Sequence, residues 1–213
     1  MTTQTGISAL QFLPERISLP ALRKAVQDCR GCPLFKHATQ AVFGKGRRSA
    51  RLVLVGEQPG NEEDLQGAPF VGPAGRILDE ALAAAGIERS ETYLTNVVKH
   101  FKWEPKGTRR LHKKPNTREI AACLPWLDKE LELIRPKVLV CLGATAAQAL
   151  LGRDFRVSIQ RGRIIATTLA EHAVATVHPS AILRQPTGEE RRRELERFTA
   201  DLEVVAGLLN GKG

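Results

Sequence analysis

The chain has 213 residues, with 32 Lys and Arg against 23 Asp and Glu, and 42% of it is hydrophobic. That length buries one sizeable core, and 12 prolines with 18 glycines exclude a fibrous or wholly disordered polymer. No apolar run approaches the ~20 residues a membrane-spanning helix needs. The opening MTTQTGISALQFLPERISL has neither a basic n-region nor an apolar h-region, so a cytoplasmic chain with no membrane partner is expected.

In chain order, residues 1–17 read as a flexible lead-in and 18–210 as a single domain. Leu22, Ala25 and Val26 recur at helical spacing between Leu19 and Cys29. Arg51–Val55 is a short apolar run ending at a glycine, as in a buried strand. Gly72-Pro73 opens a helix whose apolar face is Ile77, Leu78, Ala81, Leu82 and Ala85, and Gly86 ends it. Thr92–Asn96 is a second strand. Asn116 with Glu119 three residues on predicts a capping box and a helix to about Ile134. Lys137–Leu142 is a third strand, followed by an Ala-rich helix from Ala144. Strands over Gly162–Thr167 and Ala173–Val177 precede a last amphipathic helix, Glu189–Leu209. Strands alternating with helices predict an α/β fold: a three-layer sandwich around a mostly parallel sheet of four or five strands.

The net charge of +9 is concentrated. Between positions 99 and 118 stand Lys99, Lys102, Lys106, Arg109, Arg110, Lys113, Lys114 and Arg118 against Glu104 alone, a surplus of seven. Such a basic loop attracts polyanions by counterion release, and the interleaved Phe101 and Trp103 favour nucleic acid over a membrane surface. Ligands of open α/β sheets collect beyond the carboxyl ends of the strands. Gly56-Glu57-Gln58-Pro59-Gly60 follows the first strand, Asn96 ends the second, and His178-Pro179-Ser180 follows the last. Glu57, Gln58, Asn96 and His178 are therefore expected in one crevice. Four cysteines in a chain of this kind point to a metal or to catalysis before disulfides, and thiolates suit iron–sulfur or zinc. Cys29-Arg-Gly-Cys32 lacks the βαβ context of a thioredoxin-like redox pair, and Cys141 sits in an apolar strand where a free thiol packs as a small hydrophobe.

GEQPGNEEDLQGAPFVGPAGRILDEAL, YLTNVVKH, LGATAAQALLG and VATVHPSAILR, in that order, resemble the uracil-DNA glycosylase superfamily and within it the iron–sulfur-containing family 4 branch. The resemblance runs from about Cys29 to Leu202. Gln58, where family 4 usually has a small residue, and the insert Gly107-Thr-Arg-Arg-Leu-His112 are similar to the X-type branch, known for covalently trapping uracil-containing DNA. Here the loop departs from the usual Lys-Arg-Arg-Ile-His but keeps both arginines and the histidine.

The resemblance implies roles. His178 would donate a hydrogen bond to uracil O2, Asn96 would read the amide edge of the base, and Phe70 would stack on it once flipped from the duplex. Gln58 and the backbone around Gly56 would line the pocket. His112 would attack the anomeric carbon in place of water, with Glu57 orienting it and stabilising the imidazolium formed. Arg109, Arg110, Ser180 and Arg184 would contact DNA, although Arg110 serves equally as a pin for the loop. Family 4 carries a cysteine ligand where this chain has His100. The implied set for a 4Fe-4S cluster is therefore Cys29, Cys32, His100 and Cys123, with Cys141 the alternative fourth ligand. Uracil-containing DNA is the expected partner, free uracil the product and a monomer the working form. A turnover glycosylase using water and a non-catalytic DNA-binding module remain as competing readings.

Overall fold

The computed structural model of the protein describes residues 8–211. Its elements are α1 (Leu19–Ala25), β1 (Lys45–Gly46), β2 (Leu52–Gly56), α2 (Asn61–Gln66), α3 (Pro73–Ala84), β3 (Thr92–Asn96), β4 (Trp103–Lys106) and β5 (Arg109–His112). There follow α4 (Thr117–Ile134), β6 (Val138–Leu142), α5 (Ala144–Leu151), α6 (Val157–Gln160), β7 (Ile164–Ile165), β8 (His172–Thr176), α7 (Pro179–Leu183) and α8 (Gly188–Leu209). The main sheet runs β1-β3-β2-β6-β8-β7, with its four central strands parallel and the two edges antiparallel.

Alternation along the strands builds two cores. Val53, Val55, Tyr93, Leu139, Cys141 and Ala175 face α1, α4 and α5, whose Leu22, Trp126, Leu127 and Ala147 cover them. Leu52, Leu54, Leu94, Val138, Val140 and Val174 face α3 and α8, meeting Leu78, Leu82, Phe198 and Leu202. A parallel sheet covered on both faces needs such continuous apolar strands. The expected three-layer α/β class holds, with six strands in place of four or five. The difference lies at the edges: β1 and β7 are two residues each, and the expected strand over 162–167 is only Ile164–Ile165. Pieces that short carry no readable period.

Two further expectations change. Residues 1–7 of the expected lead-in lie outside the described residues, but 8–17 are packed rather than loose. Ser8 caps a 3-10 turn over Ala9–Phe12, Ala9 is fully buried, and Phe12, Leu13 and Ile17 pack on the core. The basic loop is a β-hairpin, in which β4 and β5 pair antiparallel from Trp103↔His112 to Lys106↔Arg109. Gly107, first of the two turn residues, takes φ +59°, the left-handed conformation such a turn requires.

Candidate active site

All the expected site residues of the central strands lie at the carboxyl end of the sheet. Gly56 ends β2 beside Asn96, its partner at the end of β3, and His178 caps α7 just after β8. Three side chains converge where Gly56 has only a hydrogen. A Cβ there would lie 2.4 Å from Asn96 Oδ1, 2.8 Å from Phe70 Cζ and 3.5 Å from His178 Nε2. Any side chain at position 56 would collide with the first two, so glycine there is what lets an amide, an aromatic ring and an imidazole draw together at the end of β2.

Each wall is fixed from behind. Phe70 stacks on His178, with ring centroids 6.0 Å apart and planes 27° from parallel. Its backbone is held at φ +54°, an unfavourable region for a bulky residue. Arg89 Nη2 donates to the Phe70 carbonyl at 3.0 Å, and α3 passes so close that only a glycine fits at position 75. Glu63 ties the two loops together, its carboxylate accepting from Gly60 N at 3.0 Å and Gly72 N at 2.8 Å. The tautomer of His178 is set by Ser180, whose backbone N–H donates to Nδ1 at 3.2 Å. An N–H can only donate, so Nδ1 holds the lone pair and Nε2–H faces Gly56 as a donor. Burial, helped by Arg184 and His112, pushes the His178 pKa down to about 4 and keeps the ring neutral. Arg184 Nη1 donates to Ser180 Oγ at 3.0 Å.

Asn96 is buried, and its carboxamide makes no hydrogen bond to another described residue, which leaves both polar ends for a ligand. Beneath it lies an ion pair: Lys99 Nζ and Glu130 Oε2 are 2.5 Å apart, both side chains fully buried. Lys99 also donates to the Asn96 carbonyl at 2.8 Å and to Thr95 Oγ1 at 2.7 Å. Glu130 accepts from Tyr93 Oη at 2.8 Å and Gly44 N at 3.0 Å. Lys99 is therefore a structural cation, not part of the basic surface its sequence position implied.

The hairpin brings His112 to the same crevice. Gln58, buried on the β2 loop, accepts from Lys102 N at 3.1 Å and donates to Lys113 O at 2.9 Å, gripping both strands. These bonds fix its amide, so its Nε2 is also the donor in the 2.9 Å contact with His112 Nε2. Glu57 Oε1 approaches the same ring nitrogen at 3.7 Å. Glu57 thus does not orient the ring by accepting its N–H: both side chains meet Nε2, the nitrogen without the proton. Burial lowers the His112 pKa, partly offset by Glu57, so the ring is neutral at pH 7 with its proton on Nδ1. The other oxygen of Glu57 accepts from the Thr145 hydroxyl in the first turn of α5.

Of the two roles open to Arg110, the structure shows the pin. Its Nε donates to Asn61 Oδ1 at 2.8 Å and its Nη1 lies 2.6 Å from the buried Asp64 Oδ2. Its guanidinium also lies 5.4 Å from the ring centroids of both Phe101 and Trp103. Lys102 and Lys113 are likewise paired, with Glu119 and Glu104. Among the described residues, Lys106, Arg109, Lys114 and Arg118 are exposed without an ion-pair partner.

Cys29 and Cys32 after α1, His100 after β3 and Cys123 on α4 are all buried. Cys123 accepts from Lys99 N at 3.2 Å and Cys29 from Trp126 Nε1 at 3.3 Å. Burial, together with the neighbouring Cys32 and Cys29, pushes the Cys123 thiol up to about 12. His100 Nδ1 is a buried nitrogen with no hydrogen-bond partner, and burial takes its pKa down to about 4. Cys141 is raised to about 12 by burial alone, inside β6 and apart from the other thiols. Among the described residues no three His, Cys, Asp or Glu side chains gather closely enough for a single metal ion.

The model of the uracil DNA glycosylase superfamily matches residues 43–203, a span that includes every wall of the crevice. The chain belongs to that superfamily. A type-4 uracil-DNA glycosylase of Thermotoga maritima is 39% identical over 189 residues, 88% of this chain and 93% of the relative. One from Archaeoglobus fulgidus is 39% identical over 202 residues, covering 92% and 95%, and one from Pyrobaculum aerophilum 36% over 179, covering 80% and 87%. The superfamily span leaves Cys29 and Cys32 outside it but takes in His100 and Cys123. Among the described residues no helix is long and apolar enough to cross a membrane.

Sequence reasoning missed Glu63, Thr145 and the Lys99–Glu130 pair. Glu63 left a trace, standing at the third position of a helix capped by Gly60. A threonine in an Ala-rich helix and a glutamate in a long amphipathic one leave none.

Proposed function

We propose that this protein recognises uracil in DNA, breaks its N-glycosidic bond and captures the sugar through His112. The base departs with the bonding electron pair and is released as uracil after protonation. The donor needed on the developing anion is His178 Nε2–H, whose tautomer Ser180 dictates. Asn96, with its amide unspent inside the protein, reads the base edge, and Phe70 stacks on the flipped ring. The lone pair of His112 Nε2 forms the new bond to the anomeric carbon, which leaves a positive charge on the ring. Glu57 Oε1, at 3.7 Å, stabilises that charge. Arg109 and Arg184, both exposed, contact phosphates with Ser180, while Arg110 holds the hairpin in place.

The observation that carries this reading is the His112 side chain, neutral and clamped on a pinned hairpin with its nucleophilic nitrogen beside a carboxylate. In the resting protein the lone pair accepts from Gln58. Bound DNA must draw the ring from that donor toward the sugar. A second reading, favoured by the type-4 relatives, is a turnover glycosylase in which Glu57 activates water and His112 only grips DNA. A denaturing gel separates them. Capture gives a uracil-dependent, SDS- and heat-resistant band, and His112→Gly loses the band but gains repeated uracil release. A persistent band in His112→Gly, or none in the wild-type protein, overturns capture.

We further infer that Cys29, Cys32, His100 and Cys123 hold a 4Fe-4S cluster. The buried, unpartnered His100 Nδ1 fits a ligand role, and thiolates bound to separate irons need not crowd about one ion. Cys29 and Cys32 after α1, His100 on the β3–β4 connection and Cys123 on α4 would hold the cluster, which would tie those three segments together. The chain's own bonds carry that order to the site: Trp103 Nε1 donates to His37 O at 2.8 Å, and Lys102 meets Glu119 at 2.9 Å.

A further inference from the structure

Glu57 has two oxygens with different partners, and the sequence explains only one. Oε1 faces His112 Nε2 at 3.7 Å. Oε2 accepts from the hydroxyl of Thr145, a buried residue on a different element. Thr145 is rigidly delivered. Gly143 turns at φ +93°, its N–H donates to Thr176 O at 2.8 Å, and a Cβ on it would lie 3.0 Å from His178 Cβ. The start of α5 is thus packed on the loop that carries His178.

We propose that Thr145 is a positioning residue for sugar capture, acting through Glu57. The proposal rests on the capture reading above. A carboxylate anchored at one oxygen cannot rotate freely, so its other oxygen stays directed at the ring nitrogen that becomes cationic. Without the hydroxyl, Glu57, which is partly exposed, turns to water, and the charge formed on His112 loses its fixed counter-ion. Departure of the base depends on Asn96, Phe70 and His178, none of which touches Thr145 through a hydrogen bond. Thr145 therefore favours capture over escape of the sugar to water.

The test measures, in single turnover at saturating uracil-DNA, both uracil release and the partition of product between protein adduct and free abasic DNA. Thr145→Val is expected to slow adduct formation about tenfold and to shift product toward free abasic DNA, with uracil release nearly unchanged. Thr145→Ser, which keeps the hydroxyl, restores the wild-type partition. An unchanged partition in Thr145→Val overturns the proposal. So does proportional slowing of both steps that Ser fails to restore, which marks a merely structural role. His112→Gly runs alongside. If it still forms adduct, the capture reading fails and takes the proposal with it. If it forms none while Thr145→Val partitions normally, only the role of Thr145 falls.

Discussion

A lone pair on His112 does the work in this account, and its availability depends on the charges around it. Glu57 acts on the ring from the β2 loop, Arg184 from just after α7, and His178 from the residue before α7. Burial dominates and lowers the His112 pKa from its ordinary 6.5. Protonation removes the lone pair, so capture should still exceed half its maximum at pH 6.5 and reach its midpoint only at more acidic pH. A single-turnover pH profile of adduct formation checks this, and half-loss at or above pH 6.5 contradicts it. The decline deepens toward pH 4, where His178 also gains a proton and its Nδ1 no longer accepts from Ser180. His112 and His178 were legible in the sequence through the motifs around them. Which nitrogen each presents was not, because a tautomer is chosen by donors that only the fold brings near: Ser180 N for one, Gln58 Nε2 for the other.

At the scale of elements, β2 and β6 read directly from sequence because a strand covered on both faces is an unbroken apolar run, while β3 and β8 read through the short β-branched and aromatic or apolar stretches Thr-Tyr-Leu-Thr and Ala-Val-Ala-Thr. The helix caps read as well, Asn116 with Glu119 most clearly. The β4–β5 hairpin did not. Its residues are polar and charged, and what orders it comes from elsewhere: Gln58 at its open end, and Asp64 and Asn61 under Arg110. Charge counting along the segment misled for the same reason, since Lys99 pairs inside the protein. That pair joins β3's end to α4 beneath Asn96, and removing one partner leaves the other charged and buried. Lys99→Met should cost about 3–5 kcal/mol. Lys99→Met with Glu130→Gln should recover part of it, because glutamine still accepts from Tyr93 and Gly44 without carrying charge. Urea denaturation of both variants measures this, and a single variant as stable as wild type contradicts the account.

Over the whole molecule, two parts meet at the crevice: the carboxyl end of the sheet, with Asn96, Phe70 and His178 gathered about Gly56, and the hairpin, which brings His112 to it. The proposed cluster would be held by residues that follow α1 and β3 and by one on α4. Iron analysis should find about four irons per chain, with broad visible absorption. His100→Ala should lose or loosen the iron, and Cys141→Ser should keep it, because Cys141 lies in β6 apart from the other three thiols. The reverse pattern would restore the all-cysteine assignment, and zinc in place of iron would remove the cluster.

The central claim is a bond between a sugar and one ring nitrogen. Protein reacted with a uracil-containing oligonucleotide, digested with protease and nuclease and mapped by tandem mass spectrometry, tests it most directly. The expected result is a deoxyribose-derived mass on His112 in the peptide that spans the hairpin, with an equal amount of free uracil. An unmodified His112 peptide beside released uracil, or the sugar mass on any other residue, contradicts it.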